Sequence, residues 1–316
     1  MNLSFRLLFL LCAATLASCG GSSGNSAANS QPMGTINLAL TDGPMDEARE
    51  LVLHVTHINL GHTDGSVTRL ELIGGPQDID MMQLQNGLTH DLLDMATVPA
   101  GRYQWMELGV DLQLSHFGTL SGGMHGMTLA DADAMRALLN FEVREGEHQD
   151  FVIDFDLHSA VRQHDMGGMM GPQYQLHNGM RLMERANAGG VMGTVDASLM
   201  DINQTGCDPA AGGNWVYLFS GSVAQPDDLA VTDTDGFPGP IASDLVELNV
   251  VTGDYQYHFG YVPQGSYRVA FTCSGEWDEE GDDDYPTDPD GMFDFHGFSG
   301  AFNVMAGQMM IMDFTP

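Results

Sequence analysis

The feature that most constrains this chain is an internal repeat. Met33-Gly34-Thr35-Ile36 recurs as Met192-Gly193-Thr194-Val195, and Val98-Pro99-Ala100-Gly101-Arg102-Tyr103 recurs as Val262-Pro263-Gln264-Gly265-Ser266-Tyr267. Phe141-x-Val143-x-x-Gly146 recurs as Phe302-x-Val304-x-x-Gly307. The offsets are 159, 164 and 161 residues, in one order along the chain. Self-similarity at a nearly fixed offset marks a repeated structural unit. The 316 residues therefore divide into two related modules, as the length itself suggests. The boundaries read as residues 33–186 and 190–316, joined by the small, polar, Gly-ended stretch from Arg185 to Gly190.

Each module reads as β. Ile36, Leu38 and Leu40 alternate with small or polar residues, and Leu51, Leu53 and Val55 alternate with Val52, His54 and Thr56. Val216 and Leu218 alternate with Tyr217 and Phe219, so both faces are apolar there, as in the middle of a sandwich. Tyr255 to Phe259 and Tyr267 to Phe271 alternate cleanly around Val262-Pro263-Gln264-Gly265, where Pro fixes φ and Gly accepts positive φ. The repeated pattern V-P-x-G-x-Y is a turn entering a strand, with an aromatic anchoring it. One segment has helical periodicity: from Asp131 to Leu139, Ala132, Met135, Ala137 and Leu138 share a face. The expected fold is all-β: two Ig-like or prealbumin-like β-sandwiches in tandem, with at most one short helix.

Gly34-Thr35-Ile36-Asn37-Leu38-Ala39-Leu40-Thr41-Asp42-Gly43-Pro44 resembles the opening of the bacterial family called domain of unknown function 4382, G-T-L-x-L-x-L-T-D-A-P. Asp80 to Gly87, Val98 to Leu108, and Val152-Ile153-Asp154-Phe155-Asp156 resemble its later motifs. The resemblance runs from about residue 33 to 184. It departs where Gly43 replaces Ala, Met81 replaces Leu, and Met106-Glu107 replaces an Ile-Arg pair. It implies exported β-domains, often lipoproteins, without an established activity. The second module is similar to the carboxypeptidase-regulatory or prealbumin-like sandwich, through Thr232-Asp233-Thr234-Asp235-Gly236-Phe237 and Pro263 to Tyr267.

The N-terminus reads as an address. Arg6 precedes an apolar run of ten residues, Leu7 to Leu16, too short to span a bilayer. Leu16-Ala17-Ser18-Cys19 then resembles the lipobox of bacterial lipoproteins. That resemblance implies a signal peptide over residues 1–18 and acylation of Cys19, which several acyl chains make a stable anchor. Residues 19–32 carry no apolar side chain larger than Ala beyond Cys19 and read as a flexible tether. With Gly20 rather than Asp after the cysteine, the resemblance implies the outer membrane in a double-membrane bacterium.

Charge excludes one class of partner. Lys+Arg number 10 against Asp+Glu 43, a formal charge of −33, and all the bases are arginine. Nucleic acid needs a basic surface, so it is not a partner. The membrane is reached through the lipid; a further protein or carbohydrate partner is not named by any motif. Carboxylate excess without lysine also resembles proteins of salt-adapted bacteria.

Two thiols remain once Cys12 leaves with the signal and Cys19 is acylated. In an oxidising compartment Cys207 and Cys273 most simply form a disulfide, worth about 4 kcal/mol by chain entropy; the alternative, a two-Cys metal site, lacks C-x-x-C spacing. No G-x-S-x-G, H-E-x-x-H, P-loop or strand-to-helix G-x-G-x-x-G is present, so the protein reads as a non-enzyme, a hydrolase being the distant alternative. Calcium is the candidate cofactor, through Asp288 and Asp290 in the acidic run that begins at Asp278, or through Asp233 and Asp235. Neither cluster fits the EF-hand register, and both also read as solvated loops. A rival reading is copper handling, through Met124, His125 and Met127 with His164, Met166, Met169 and Met170. Against it, Met is also a flexible core filler. The reading that results is a membrane-anchored envelope lipoprotein, a non-catalytic binding or structural module stabilised by calcium, with copper handling as the alternative.

Overall fold

The alternating segments become strands. In the first half they are β1 (Met33–Gly43), β2 (Ala48–His62), β3 (His90–Pro99), β4 (Gly101–Val110), β5 (Arg136–Val143), β6 (His148–Asp156) and β7 (Met180–Glu184). In the second they are β8 (Ala188–Val195), β9 (Trp215–Ser220), β10 (Ala242–Leu245), β11 (Tyr255–Pro263), β12 (Gly265–Thr272), β13 (Phe302–Val304) and β14 (Met309–Ile311). The computed structural model describes residues 31–43, 45, 48–164, 173–203, 205–208, 213–229, 237–278 and 293–316.

The first half stacks the sheet β7-β6-β1-β3 on a larger one that runs β5-β4-β2 and continues through His116–Thr119 and Met124–His125. A small third sheet joins Val161–His164, Gln173–Leu176 and Met127–Leu129. Ile36, Leu38 and Leu40 of β1 meet Leu51, Leu53 and Val55 of β2 in one core that draws only on residues 36–182. The second half stacks Glu247–Leu248, β11, β8 and β14 on β10, β9, β12 and Phe295–Phe298, with β13 also paired to β12. Its cores draw on residues 191–314. Both faces of β9 are buried, Val216 and Leu218 in one cluster and Trp215, Tyr217 and Phe219 in another. Residues 32–316 nevertheless form one compact unit, and the fold is all-β. Among the described residues no helix is long and apolar enough to cross a membrane.

The internal repeat is a repeat of strand pairing. β1 runs parallel to β6 and antiparallel to β3, while β4 lies between β2 and β5. Likewise β8 runs parallel to β14 and antiparallel to β11, while β12 pairs with β9 and β13. Register agrees residue by residue: Phe141 faces Tyr103 and Val143 faces Gly101, as Phe302 faces Tyr267 and Val304 faces Gly265. Tyr103 anchors its turn, its hydroxyl donating to the Pro99 carbonyl at 2.6 Å.

Two sequence expectations are corrected. The Gly146 amide donates to the Met33 carbonyl, and the equivalent Gly307 amide donates to that of Ala188. Ala188-Gly189-Gly190-Val191, not Met192 to Val195, therefore stands where Met33 to Ile36 stands. A slip of four residues keeps every side chain on its face of the strand, so Val191 and Val195 are both buried and apolar pattern does not reveal the shift. The expected helix at Asp131 to Leu139 is instead a turn running into β5. Asp131 captures the Asp133 amide with its side chain and the Ala134 amide with its carbonyl, and pairing with β4 takes over from Arg136. Among the described residues the one α-helix is a single turn, α1 (Leu157–Ala160), elsewhere in the chain.

Candidate functional site

Strand β6 has two buried faces. Phe151, Ile153 and Phe155 enter the first core, while Val152 packs with Met183 and, from the second half, Ala188 and Tyr261. Asp154 and Asp156 share the face of Val152, because side chains alternate along a strand. They are thereby carried into the contact between the two halves, where both are buried.

Asp156 is the hub of that contact. Its carboxylate accepts from the Ser243 amide at 2.8 Å and from the Ser243 hydroxyl at 3.1 and 3.2 Å. It also caps α1, accepting from the Ser159 amide. The next residue but one, His158, places Nδ1 3.1 Å from the same Ser243 hydroxyl. With the hydroxyl donating to Asp156, Nδ1–H is the donor to Ser243 Oγ, an assignment made from the network. The His158 ring stacks on Trp215, centroids 3.9 Å apart and planes 10° from parallel. Burial pushes His158 down to about 3, so it is neutral at physiological pH. Burial, with Asp154 adding to it against Arg181 and two amides, pushes Asp156 up to about 6.

Ser, His and Asp thus meet, in an order unlike that of a nucleophilic triad. There the histidine lies between serine and carboxylate and takes the hydroxyl proton. Here the carboxylate bonds the serine directly, the histidine donates to it, and Ser243 is 2% exposed. The arrangement fixes one half to the other.

Beside this hub is a cavity of about 20 Å³, lined by Asp42, Asp154, Asp156, Arg181, Ser243, Asp244 and His258 among others. Arg181 pairs with Asp154. Asp244 accepts from the His258 amide, yet burial, with Glu247, Asp156 and Asp154 nearby, holds it well above the usual carboxylate range. Asp42, at the end of β1, is 5% exposed and neither carboxylate oxygen has a hydrogen-bond partner. Burial and the charges of Asp154, Asp156 and Asp80 hold it well above the usual range, the Gly43 amide offering only a small opposing effect. The wall is completed by a close backbone approach: Asn86 and Gly87 both take positive φ, and a Cβ on Gly260 would lie 3.0 Å from the Gly87 Cα. Glycine at both places lets the loop before β3 seat on β11.

Of the residues picked from sequence, Cys207 and Cys273 are joined in a disulfide, Cα atoms 5.4 Å apart. His296 lies beside them, its ring nitrogens 3.7 and 3.8 Å from Cys273 Sγ. With both sulfurs spent on each other, the two-cysteine metal site is set aside. Met127 is in the first core, Met124 Sδ accepts from Arg49 at 3.5 Å, and His125 packs against Tyr174. The strands holding Met127 and His164 flank Gln173–Leu176 in the small sheet. Met166, Met169 and Met170 lie outside the described residues, as do Asp233, Asp235, Asp288, Asp290 and Cys19. The two acidic segments do start from one place: Asp278 accepts from the Leu229 amide at 3.0 Å and the Tyr217 hydroxyl at 2.6 Å. Burial pushes Asp278 up to about 7.

Asp42, Asp154, Asp156, Ser243, Asp244 and His158 were not singled out as site residues from sequence. The available signal was the placing of Asp154 and Asp156 on a strand whose alternate residues are all large and apolar. No curated protein matches the chain. Solved structures similar to it include the Bacillus anthracis TIE protein, at 9% identity and TM-score 0.18, covering 89% of this chain and 33% of that one. A Streptococcal ancillary pilin has 11% identity and TM-score 0.17, covering 90% of this chain and 63% of that one. The fimbrial anchor protein Mfa2 from Porphyromonas gingivalis has 12% identity and TM-score 0.16, covering 78% and 80%. The chain thus spans a third of the first protein's length and less than two thirds of the second's. Within the chain, residues 33–174 match the family described as Domain of unknown function (DUF4382).

Proposed function

We propose that this chain is an exported lipoprotein of the cell envelope, held by acyl groups on Cys19, whose β body acts without catalysis as a binding or structural module. The anchor reading is supported by Leu16-Ala17-Ser18-Cys19, the short apolar run before it and the small-residue tether after it. The outer membrane is the proposed location, because Gly20 follows the cysteine. The prealbumin-like reading of the second half rests on its turn-and-strand motifs.

The observation that carries the non-catalytic reading is the state of Ser243. Its hydroxyl meets both an imidazole and a carboxylate, and it is buried and committed to Asp156. A nucleophile must be reachable by substrate and paired to a base that accepts its proton; neutral His158 donates to Ser243 instead. The test of the whole reading is the intact mass of the mature protein. The expected N-terminus is acylated Cys19, and Cys19→Ala should yield unprocessed protein without acyl mass. A mature N-terminus elsewhere, or an unmodified Cys19, removes the anchor.

A further inference from the structure

We propose that the small cavity between the ends of β1, β6, β10 and β11 is a site for one hard divalent cation, of the size and chemistry of calcium, with Asp42 as its charged ligand. The site is distinct from both acidic loops and does not depend on the anchoring of Cys19.

The first observation is an unsolved electrostatic problem. Asp42, Asp154, Asp156 and Asp244 line one cavity with Arg181 as the cation facing them. Arg181 pairs with Asp154 through Nη2, and its buried Nε has no hydrogen-bond partner. Asp156 is satisfied by Ser243 and Ser159, and one oxygen of Asp244 by the His258 amide. That leaves Asp42 buried with two unpartnered oxygens. A buried carboxylate in that condition is strongly destabilising unless it is neutralised. His258 Nδ1, also unpartnered on the same wall, has no charge to give, since burial lowers its basicity.

The second observation is room. The cavity of about 20 Å³ admits one water-sized occupant. Its walls are built from the carboxylates of Asp42 and Asp244 and from the main chain of Gly43, Gly87 and Gly260. Among the described residues no three carboxylates here bring an oxygen each within 4.8 Å of one another. The ion is therefore bound chiefly by Asp42 with neutral wall oxygens, while the other carboxylates supply field. Irregular, carboxylate-rich surroundings with a single imidazole on the wall suit calcium better than magnesium, which demands a near-ideal octahedron, or zinc, which prefers several nitrogen and sulfur ligands. A small charge count in the ligand set places the affinity in the weak, extracellular range, about 10⁻⁴ to 10⁻³ M. An ion here would join the two halves, since Asp42 comes from one and Asp244 from the other.

The experiment uses the full mature chain and calcium chloride alone. Equilibrium dialysis counts bound ions, and thermal midpoints are compared in calcium, magnesium and sodium at matched ionic strength. Calcium at millimolar concentration should raise the midpoint by mass action, by several degrees more than the other two. Asp42→Asn should bind one ion fewer, lose that part of the rise, and melt no lower than wild type without calcium, because its unpaired charge is gone. Asp244→Asn is the second variant, should the first fail to fold, and should weaken the same step. Calcium retained by the acidic loops would survive both changes. Equal shifts from all three salts overturn the proposal, as does an unchanged ion count and calcium response in whichever variants fold.

Discussion

The imidazole of His158 lies flat on the indole of Trp215, 3.9 Å between centroids, although the two come from different halves and are fifty-seven positions apart in the chain. The stack is buried, and the histidine is neutral, so its energy is that of packing and one hydrogen bond rather than of charge. His158→Ala should lower unfolding free energy by about 2–4 kcal/mol, through lost packing and the vacated donor position at Ser243. His158→Phe keeps the stack and should lose less. Urea unfolding of the two variants checks this; an alanine variant as stable as wild type would mean the ring only fills space.

Asp156 and Ser243 give a second, graded prediction. Ser243→Ala removes the hydroxyl but leaves the Ser243 amide still donating to Asp156, so the expected loss is about 1 kcal/mol. Asp156→Ala strands that amide, the Ser243 hydroxyl and the α1 cap together, and about 3 kcal/mol or more should go. Asp156→Asn retains an acceptor and should fall between. Calorimetric melting of the three proteins gives the ranking; Ser243→Ala as damaging as Asp156→Ala would refute it.

The strands were legible because apolar alternation is written in every local window, and the turns because V-P-x-G-x-Y puts Pro, Gly and Tyr at fixed offsets. The pairing Phe141–Tyr103 and its counterpart Phe302–Tyr267 follow from those motifs. The disulfide followed from counting thiols. The seam was not legible for a different reason. Asp42 stands at a strand end before Gly43, where aspartate usually marks a turn, and only β10 and β11, some two hundred residues on, turn it into a buried group. Asp154 and Asp156 alternate with Phe155 as polar residues do on a half-exposed strand, whereas β6 is buried on both faces. The displaced Met192 match has a like cause: a strand slipped by four shows the same faces, and the register is fixed by long-range pairing, the Gly307–Ala188 hydrogen bond and the Ala188–Pro263 pair.

The buried acids make stability depend on pH in an unusual direction. A carboxyl whose folded pKa lies above its unfolded value holds its proton longer when folded, so stability falls as pH rises past the unfolded value. Asp42 and Asp244 are raised well above the usual range, and Asp278 to about 7. Buried His158, at about 3, acts oppositely: it costs stability as pH falls below the ordinary histidine value of 6.5. His57, His177 and His258 are lowered too, so acids and histidines oppose each other between 3.8 and 6.5. At 6.5 an unfolded histidine is still half protonated, so the histidines stop contributing only about one pH unit higher, where the acids raised furthest remain. Without divalent cations, the thermal midpoint should therefore drop as pH rises above about 7.5. Asp42→Asn should flatten that slope. A midpoint constant from there to pH 8.5 would mean that Asp42 and Asp244 are already ionised at its lower end.

The relation between the two halves yields the last prediction. Their large cores share no residue: one draws on 36–182, the others on 191–314. Among the described residues each half also closes its own sheets, with no strand ladder crossing from one to the other. A chain cut between Glu184 and Ala188 should therefore yield two proteins that each show β-type circular dichroism and melt cooperatively. Each should melt below the intact protein, since the cut exposes Val152, Met183 and Ala188 and leaves Asp154, Asp156 and Ser243 without their cross-seam surroundings. Two features separate this from simple loss of size. The first half, without β10 and β11, should open Asp42 to water and relieve its buried charge, so its midpoint should vary less with pH above about 7.5 than that of the whole chain. The second should keep the Cys207–Cys273 disulfide and lose stability on reduction by about 4 kcal/mol, the chain-entropy value for a loop of this length. Melting curves of both pieces, at two pH values and with a thiol reductant, decide the matter. If both pieces are disordered, the seam is part of the folding core itself, and the repeat describes a single intertwined domain.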